Sequence, residues 1–123
     1  MTTPTPDGDT SGRYYVLFDV EIHDVARYRT YMDRVRPALE SAGGRYLVRG
    51  GDFTVYEGDW TPSRLVLLEF PSQDAWESFY YGSAYAEMKT VREEVSSGRM
   101  VGVEGLAPTR EGTRPGSGGL WVN

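Results

Sequence analysis

Between Tyr14 and Ile22 every second residue is large and apolar: Tyr14, Val16, Phe18, Val20 and Ile22. A period of two puts those side chains on one face of a β-strand. The stretch "RYYVLFDVEI", from Arg13 to Ile22, therefore reads as a strand with one face wholly buried. The intervening Tyr15, Leu17, Asp19, Glu21 and His23 are half apolar and half charged. Such a face is too apolar for open water, so the fold has to supply a cover for both sides of this strand.

The rest of the chain offers few elements to do so. Asp24 is a candidate N-cap, and from it Val25, Tyr28, Met32, Val35, Leu39 and Ala42 step by three or four, the spacing of one helical face. Gly43 and Gly44 stop that helix, and Pro37 within it is expected to bend it. "RYLVRGGDFTVYEG" reads as a second strand, broken by a bulge near Gly50 and Gly51. "GDWTPS" is a loop and "RLVLLEF", Arg64 to Phe70, a third strand. Ser72 caps a helical stretch that breaks near Gly82 and restarts with Ser83 as a second cap. Its apolar stripe is Ala75, Trp76, Phe79 and Tyr80, then Tyr85, Met88, Val91 and Val95. "RMVGVEGL", Arg99 to Leu106, closes as a fourth strand.

The order β-α-β-β-α-β is that of an α+β, ferredoxin-like protomer, a four-stranded antiparallel sheet with two helices on one face. Strand parity sorts the side chains. Tyr14, Val16, Phe18, Val20 and Ile22, Tyr46 and Val48, Val66, Leu68 and Phe70, and Val101 and Val103 are expected under the helices. The opposite face carries Tyr15, Leu17, Asp19, Glu21 and His23, Arg45, Leu47 and Arg49, Leu65, Leu67 and Glu69, and Met100 and Glu104. Two helices cannot cover both faces, so Leu17, Leu47, Leu65, Leu67 and Met100 predict a second sheet packed there from another copy of the chain. The expected assembly is a homodimer closed by sheet-to-sheet packing.

Composition narrows the chemistry. A chain of 123 residues, 39% hydrophobic and 25% charged, is long enough for one domain and short for two. Residues 1–12 and 107–123 are rich in Pro, Gly, Ser and Thr and read as a flexible leader and a flexible or docking tail, the latter through Leu120, Trp121 and Val122. The domain is expected over 13–106. A net charge of -5 leaves no basic surplus for nucleic-acid phosphates. The absence of cysteine excludes disulfides, thiolate metal sites and a cysteine nucleophile. With no apolar run of membrane-spanning length and no secretory leader pattern, a soluble cytoplasmic protein is expected. No glycine-rich phosphate loop and no serine elbow is present.

Two groups of residues remain that could carry chemistry. Arg45 and Arg49, on the half-apolar face, require partners among Asp19, Glu21, Glu69 and Glu104, because an unpaired charge there is costly. They read either as ion pairs that set strand register or as the polar wall of a site. Asp19, Glu21 and His23 recur at period two on one strand, a set able to approach a hard divalent metal but more simply a polar strand end. Three Trp, nine Tyr and four Phe supply aromatic surface. Tyr28, Trp76 and Phe79 fit a core stripe, whereas Tyr31, Trp60 and Tyr80 are the candidates for substrate binding.

The runs "GGRYLVRGG", "VYEGDWTPSRLVLLEFPS", "AWESFYYGSAYAEMKTVRE" and "VEG" resemble the bacterial domains of unknown function within the dimeric α/β barrel superfamily, over nearly all of Tyr14 to Leu106. The resemblance implies a ferredoxin-like protomer and a sheet-packed dimer. The wider superfamily includes cofactor-free monooxygenases, isomerases, polyketide cyclases, haem enzymes and ligand-sensing modules, so fold alone decides no activity.

The reading that joins these observations is a cofactor-independent enzyme of secondary metabolism, of cyclase, isomerase or monooxygenase type, acting by acid/base chemistry on a hydrophobic aromatic or polyketide-like substrate. Asp19, His23, Arg45, Arg49 and Glu69 are its candidate catalytic residues, arginine stabilising negative charge and a carboxylate or His23 moving the proton. The alternative is a non-catalytic homodimeric module that binds a ligand or assists a partner enzyme. Both leave open whether the pocket lies between sheet and helices or between two sheets.

Overall fold

The computed structural model describes residues 12–106. The expectations for residues 1–11 and 107–123, including the Leu120–Val122 tail, lie outside the described residues. The elements run β1 (Tyr14–Ile22), α1 (Val25–Ser41), β2 (Arg45–Arg49), β3 (Leu65–Phe70), α2 (Gln73–Tyr80), α3 (Ser83–Val95) and β4 (Ser96–Glu104). The sheet order is β2-β3-β1-β4 and every pairing is antiparallel. The protein is an α+β, ferredoxin-like fold, its second helical stretch divided into α2 and α3 at Tyr81 and Gly82.

Local chemistry places the ends of these elements. Asp24 Oδ1 accepts from the Arg27 backbone N–H at 3.1 Å and caps α1, and Ser72 Oγ accepts from Ala75 N–H at 3.1 Å and caps α2. Gly43, with φ +91°, takes the left-handed turn that ends α1, and Gly44 N–H returns to the Leu39 carbonyl. The cap of α3 is Gly82 rather than Ser83, and no side chain bonds there.

The core lies between the helices and one face of the sheet. Val16, Phe18 and Val20 of β1 and Val66, Leu68 and Phe70 of β3 pack against Tyr28, Tyr31, Val35 and Leu39 of α1, Trp76 of α2 and Tyr85, Met88 and Val95 of α3. Val25, counted with the helical stripe, is instead 62% exposed in the first turn of α1, where no element packs over it.

Parity is overturned in two strands. Register pairs Leu17 with Val101, Tyr15 with Val103 and Phe18 with Met100. Directly opposed residues share a face, so Val101 and Val103 stand on the open face, each 59% exposed, while Met100 packs against the core and Glu104, opposite Tyr14, leaves the open-face set. β4 emerges from α3 without a loop, and Ser96 pairs with Ile22, so its phase is set by where α3 ends.

In β2 the irregularity falls between Tyr46 and Val48, not at Gly50 and Gly51. One extra residue inverts the alternation after it. Val48 therefore joins the open face opposite Leu67, and Arg49, opposite Val66, moves to the helix side. β2 ends at Arg49, and residues 51–56 form no strand.

Candidate functional site

On the open face, the row Arg45–Glu69–Tyr15 runs across β2, β3 and β1 in direct register. Glu69 accepts from Arg45 Nε at 2.7 Å and from the Tyr15 hydroxyl at 2.9 Å, with Arg13 Nε at 3.5 Å. Burial works to raise the Glu69 pKa, but the hydrogen bonds from Arg45 and Tyr15 and the arginine charges outweigh it and hold the carboxyl below its ordinary range. The same bond, with burial, pushes the Tyr15 phenol up.

Asp19 is similarly occupied. Its carboxylate accepts from Trp60 Nε1 at 2.9 Å and from the backbone N–H groups of Ser63 and Arg64 at 2.8 and 3.4 Å, and Arg99 stands at 3.7 Å. Burial raises its pKa and these donors lower it further, leaving the group below its usual value. Asp19 thus fastens the loop before β3 to the middle of β1. Leu17, Asp19, Trp60, Arg99 and Val101 border a shallow hollow of about 260 Å3 on this face.

The remaining sequence candidates go elsewhere. His23 sits at the exposed end of β1, its Nε2 3.0 Å from Ser97 Oγ. Arg49 makes no ion pair among the described residues and lies over the Tyr46 ring, 4.9 Å from its centroid, a correction to its expected pairing on the open face. Asp19, Arg45, Glu69 and Trp60 share the open face, Tyr31 and Tyr80 lie on the helix side, and no single pocket gathers all eight.

On the helix side, Phe18, Tyr28, Tyr31, Met32, Tyr85 and Met100 are among the residues around a narrow cavity of about 30 Å3, room for about one water molecule (~30 Å3 in the liquid). Tyr31 and Tyr85 hydroxyls meet at 2.9 Å in the interior. Tyr80 stacks on Trp76 with centroids 4.9 Å apart. Burial raises the pKa of the Tyr31, Tyr85 and Tyr46 phenols and pushes that of Tyr28 to about 12. At neutral pH these are uncharged hydroxyl donors.

Beside them is a residue that sequence reasoning missed. Arg92 of α3 is 8% exposed, its guanidinium over the Phe18 ring at 4.9 Å, and its Nε has no hydrogen-bond partner among the described residues. Its charge works against the rise at Tyr28, Tyr31 and Tyr85. The signal was available: Arg92 is four residues after Met88 and three before Val95, inside the buried stripe of α3.

This architecture defines a class, the ferredoxin-like α+β proteins, and comparison with known proteins gives the family. Residues 13–106 match the family model described as Domain of unknown function (DUF1330), and the chain belongs to that family. No curated protein matches the sequence. Among solved structures, a protein of unknown function from Rhodopseudomonas palustris is 19% identical with a TM-score of 0.63, over 80% of this chain and 85% of that one. SnoaB from Streptomyces nogalater, a cofactor-independent oxygenase, is 10% identical with a TM-score of 0.56, over 82% of this chain and 100% of that one. At these identities the likeness is one of fold.

Proposed function

We propose that this protein is a cofactor-independent small-molecule enzyme, of cyclase, isomerase or monooxygenase type, whose aromatic or polyketide-like substrate is held between the sheet and the helices. The observation that carries the reading is Arg92, a buried guanidinium whose Nε has no hydrogen-bond partner among the described residues and which lies over the ring of Phe18, a wall residue of the interior cavity. A cationic donor surrounded by aromatic walls is matched to an oxygen that becomes negative when an enol or phenol loses its proton. Tyr31 and Tyr85 supply further hydroxyl donors, and the rings of Phe18, Trp76 and Phe79 supply flat apolar contact. SnoaB, a cofactor-independent oxygenase, has a similar fold, which is consistent with that chemistry.

A substrate of this class exceeds the present cavity, so Met32 and Met100 on its wall would have to turn aside, which unbranched thioether chains do at low cost. Among the described residues, no carboxylate or imidazole lines the cavity. The proton therefore leaves to water, and the protein's part is to stabilise the anion. Asp19, Arg45 and Glu69 hold the open face in register for a second copy, with Leu47, Val48, Val101 and Val103 as the apolar surface between two sheets.

The absence of a lining base also favours the second reading, a dimeric module that binds such a ligand without converting it. Incubation of the protein with a panel of hydroxylated naphthalenes and anthracenes, followed by absorbance and product mass, separates the two. Turnover that is lost in Arg92→Met and reduced in Tyr31→Phe supports the enzyme. Saturable spectral change with no new mass selects the binding module, and turnover unchanged in Arg92→Met removes the interior as the site.

A further inference from the structure

Outside Tyr28 and Met32 a second space opens, a groove of about 420 Å3 between α1 and the ends of β2 and β3. That volume lies in the range of small-molecule clefts, about 300–1,000 Å3. Tyr28 and Met32 line both this groove and the interior cavity, so the two spaces share these side chains as a wall. Arg29, Arg49 and Arg64 stand around it with one carboxylate, Asp33. None of the three arginines makes an ion pair within 4.0 Å among the described residues. Three positive charges less that of Asp33 leave a formal +2 in the groove, on a chain whose net charge is -5.

Arg64 is the best held. Its Cζ lies 5.8 Å from the Tyr28 ring centroid, and its Nη1 is buried without a hydrogen-bond partner among the described residues. Gly50 makes room for it: φ there is +76°, and a Cβ would fall 2.6 Å from Arg64 Nε. Arg49 reaches the groove only because the bulge at Leu47 turns it to the helix side. A buried donor left without an acceptor is costly. Planar guanidinium groups above an apolar floor match a carboxylate carried on a flat ring, whereas a free inorganic ion would leave the floor unused.

We propose that this groove is a carboxylate-binding subsite, in which Arg49 and Arg64, with Arg29 at the rim, hold the acid group of an aromatic carboxylate whose ring points past Tyr28 and Met32 to the interior. It extends the function proposed above and rests on it only for the destination of the ring. The substrate class is thereby narrowed to aromatic carboxylic acids.

Calorimetric titration of the full chain with 2-naphthoate and with the neutral 2-naphthamide tests it. The wild-type protein is expected to prefer naphthoate by about tenfold, the scale of one charge-assisted contact. Arg64→Gln and the exposed Arg49→Gln should each remove most of that preference, with circular dichroism confirming the fold. Arg27→Gln, which removes the same charge at a residue paired with Glu94 at 2.8 Å, should leave it intact. Equal binding of the two probes, a preference that survives both Arg49→Gln and Arg64→Gln, or no naphthoate binding at millimolar concentration overturns the proposal. Arg92→Met, which tests the interior reading, is expected to keep the preference for charge, so the two claims fail separately.

Discussion

On the open face of the sheet, Glu69 and Asp19 each accept three or more contacts from neighbouring donors, whereas on the helix face Arg92 is buried with its Nε unmatched among the described residues. The same four strands thus carry charge in two ways. A carboxylate ringed by donors sets register and has little left to offer a substrate. A buried guanidinium nitrogen left without a partner costs stability, and the function proposed above gives that cost a use. For this protein the contrast is one of satisfaction: the charged row on the open face has its hydrogen bonds filled, and the interior function proposed above draws on the polar groups set among the aromatics.

The largest expected effect breaks the helix face itself. Phe70 is fully buried and in edge contact with Trp76, so Phe70→Ala should cost about 3–5 kcal/mol in denaturant unfolding; a cost below about 1 kcal/mol would mean that this core is not packed as described. Next, Arg92→Met keeps the aliphatic stem and removes the unsatisfied charge, and should raise stability by about 1–3 kcal/mol while turnover is lost. Loss of both would make Arg92 a structural residue and place it with the open-face charges.

The open-face carboxylates and the buried phenols of the helix side should also fail at opposite ends of the pH scale. Glu69 has a lowered pKa, so its contribution is complete above the ordinary 4.5 and is lost as pH falls through the lowered value. Tyr28 has a raised pKa, so its contribution is complete below 10.0 and is lost as pH rises towards about 12. Glu69→Gln is expected to reduce the acid-side slope of a stability-against-pH curve, leaving the part due to Asp19, at a cost of about 1 kcal/mol, and Tyr28→Phe to reduce the alkaline-side slope only, leaving the part due to the other raised phenols. An acid limb unaltered by Glu69→Gln would break the contrast. The smallest effect is Arg36→Ala, which removes an exposed pair with Glu40 at 3.1 Å and should change unfolding by less than about 0.5 kcal/mol.

Much of this fold was legible beforehand, because β1 alternates without interruption and the caps Asp24 and Ser72 and the stop Gly43 act through bonds to residues a few positions away. The candidate site was legible in pieces. Arg45 was expected to find a partner among Asp19, Glu21, Glu69 and Glu104 and pairs with Glu69, both sitting in regular stretches where counting by two is reliable. Arg49, Val48, Val101 and Val103 were assigned to the wrong faces because phase, once shifted by a bulge or by a strand springing straight from a helix, inverts everything after it. Arg92 was passed over because arginine in a helix is ordinarily a surface residue.

By itself, then, the sequence determined the elements, their order and the apolar face of β1, which depend on local propensity and on short periods. Only the tertiary structure decided which arginines go unpaired, that Tyr31 meets Tyr85 across 54 positions of chain, and that Arg29, Arg49 and Arg64 surround one groove. Those facts depend on register between distant segments, where a displacement of one residue exchanges the two faces of the sheet.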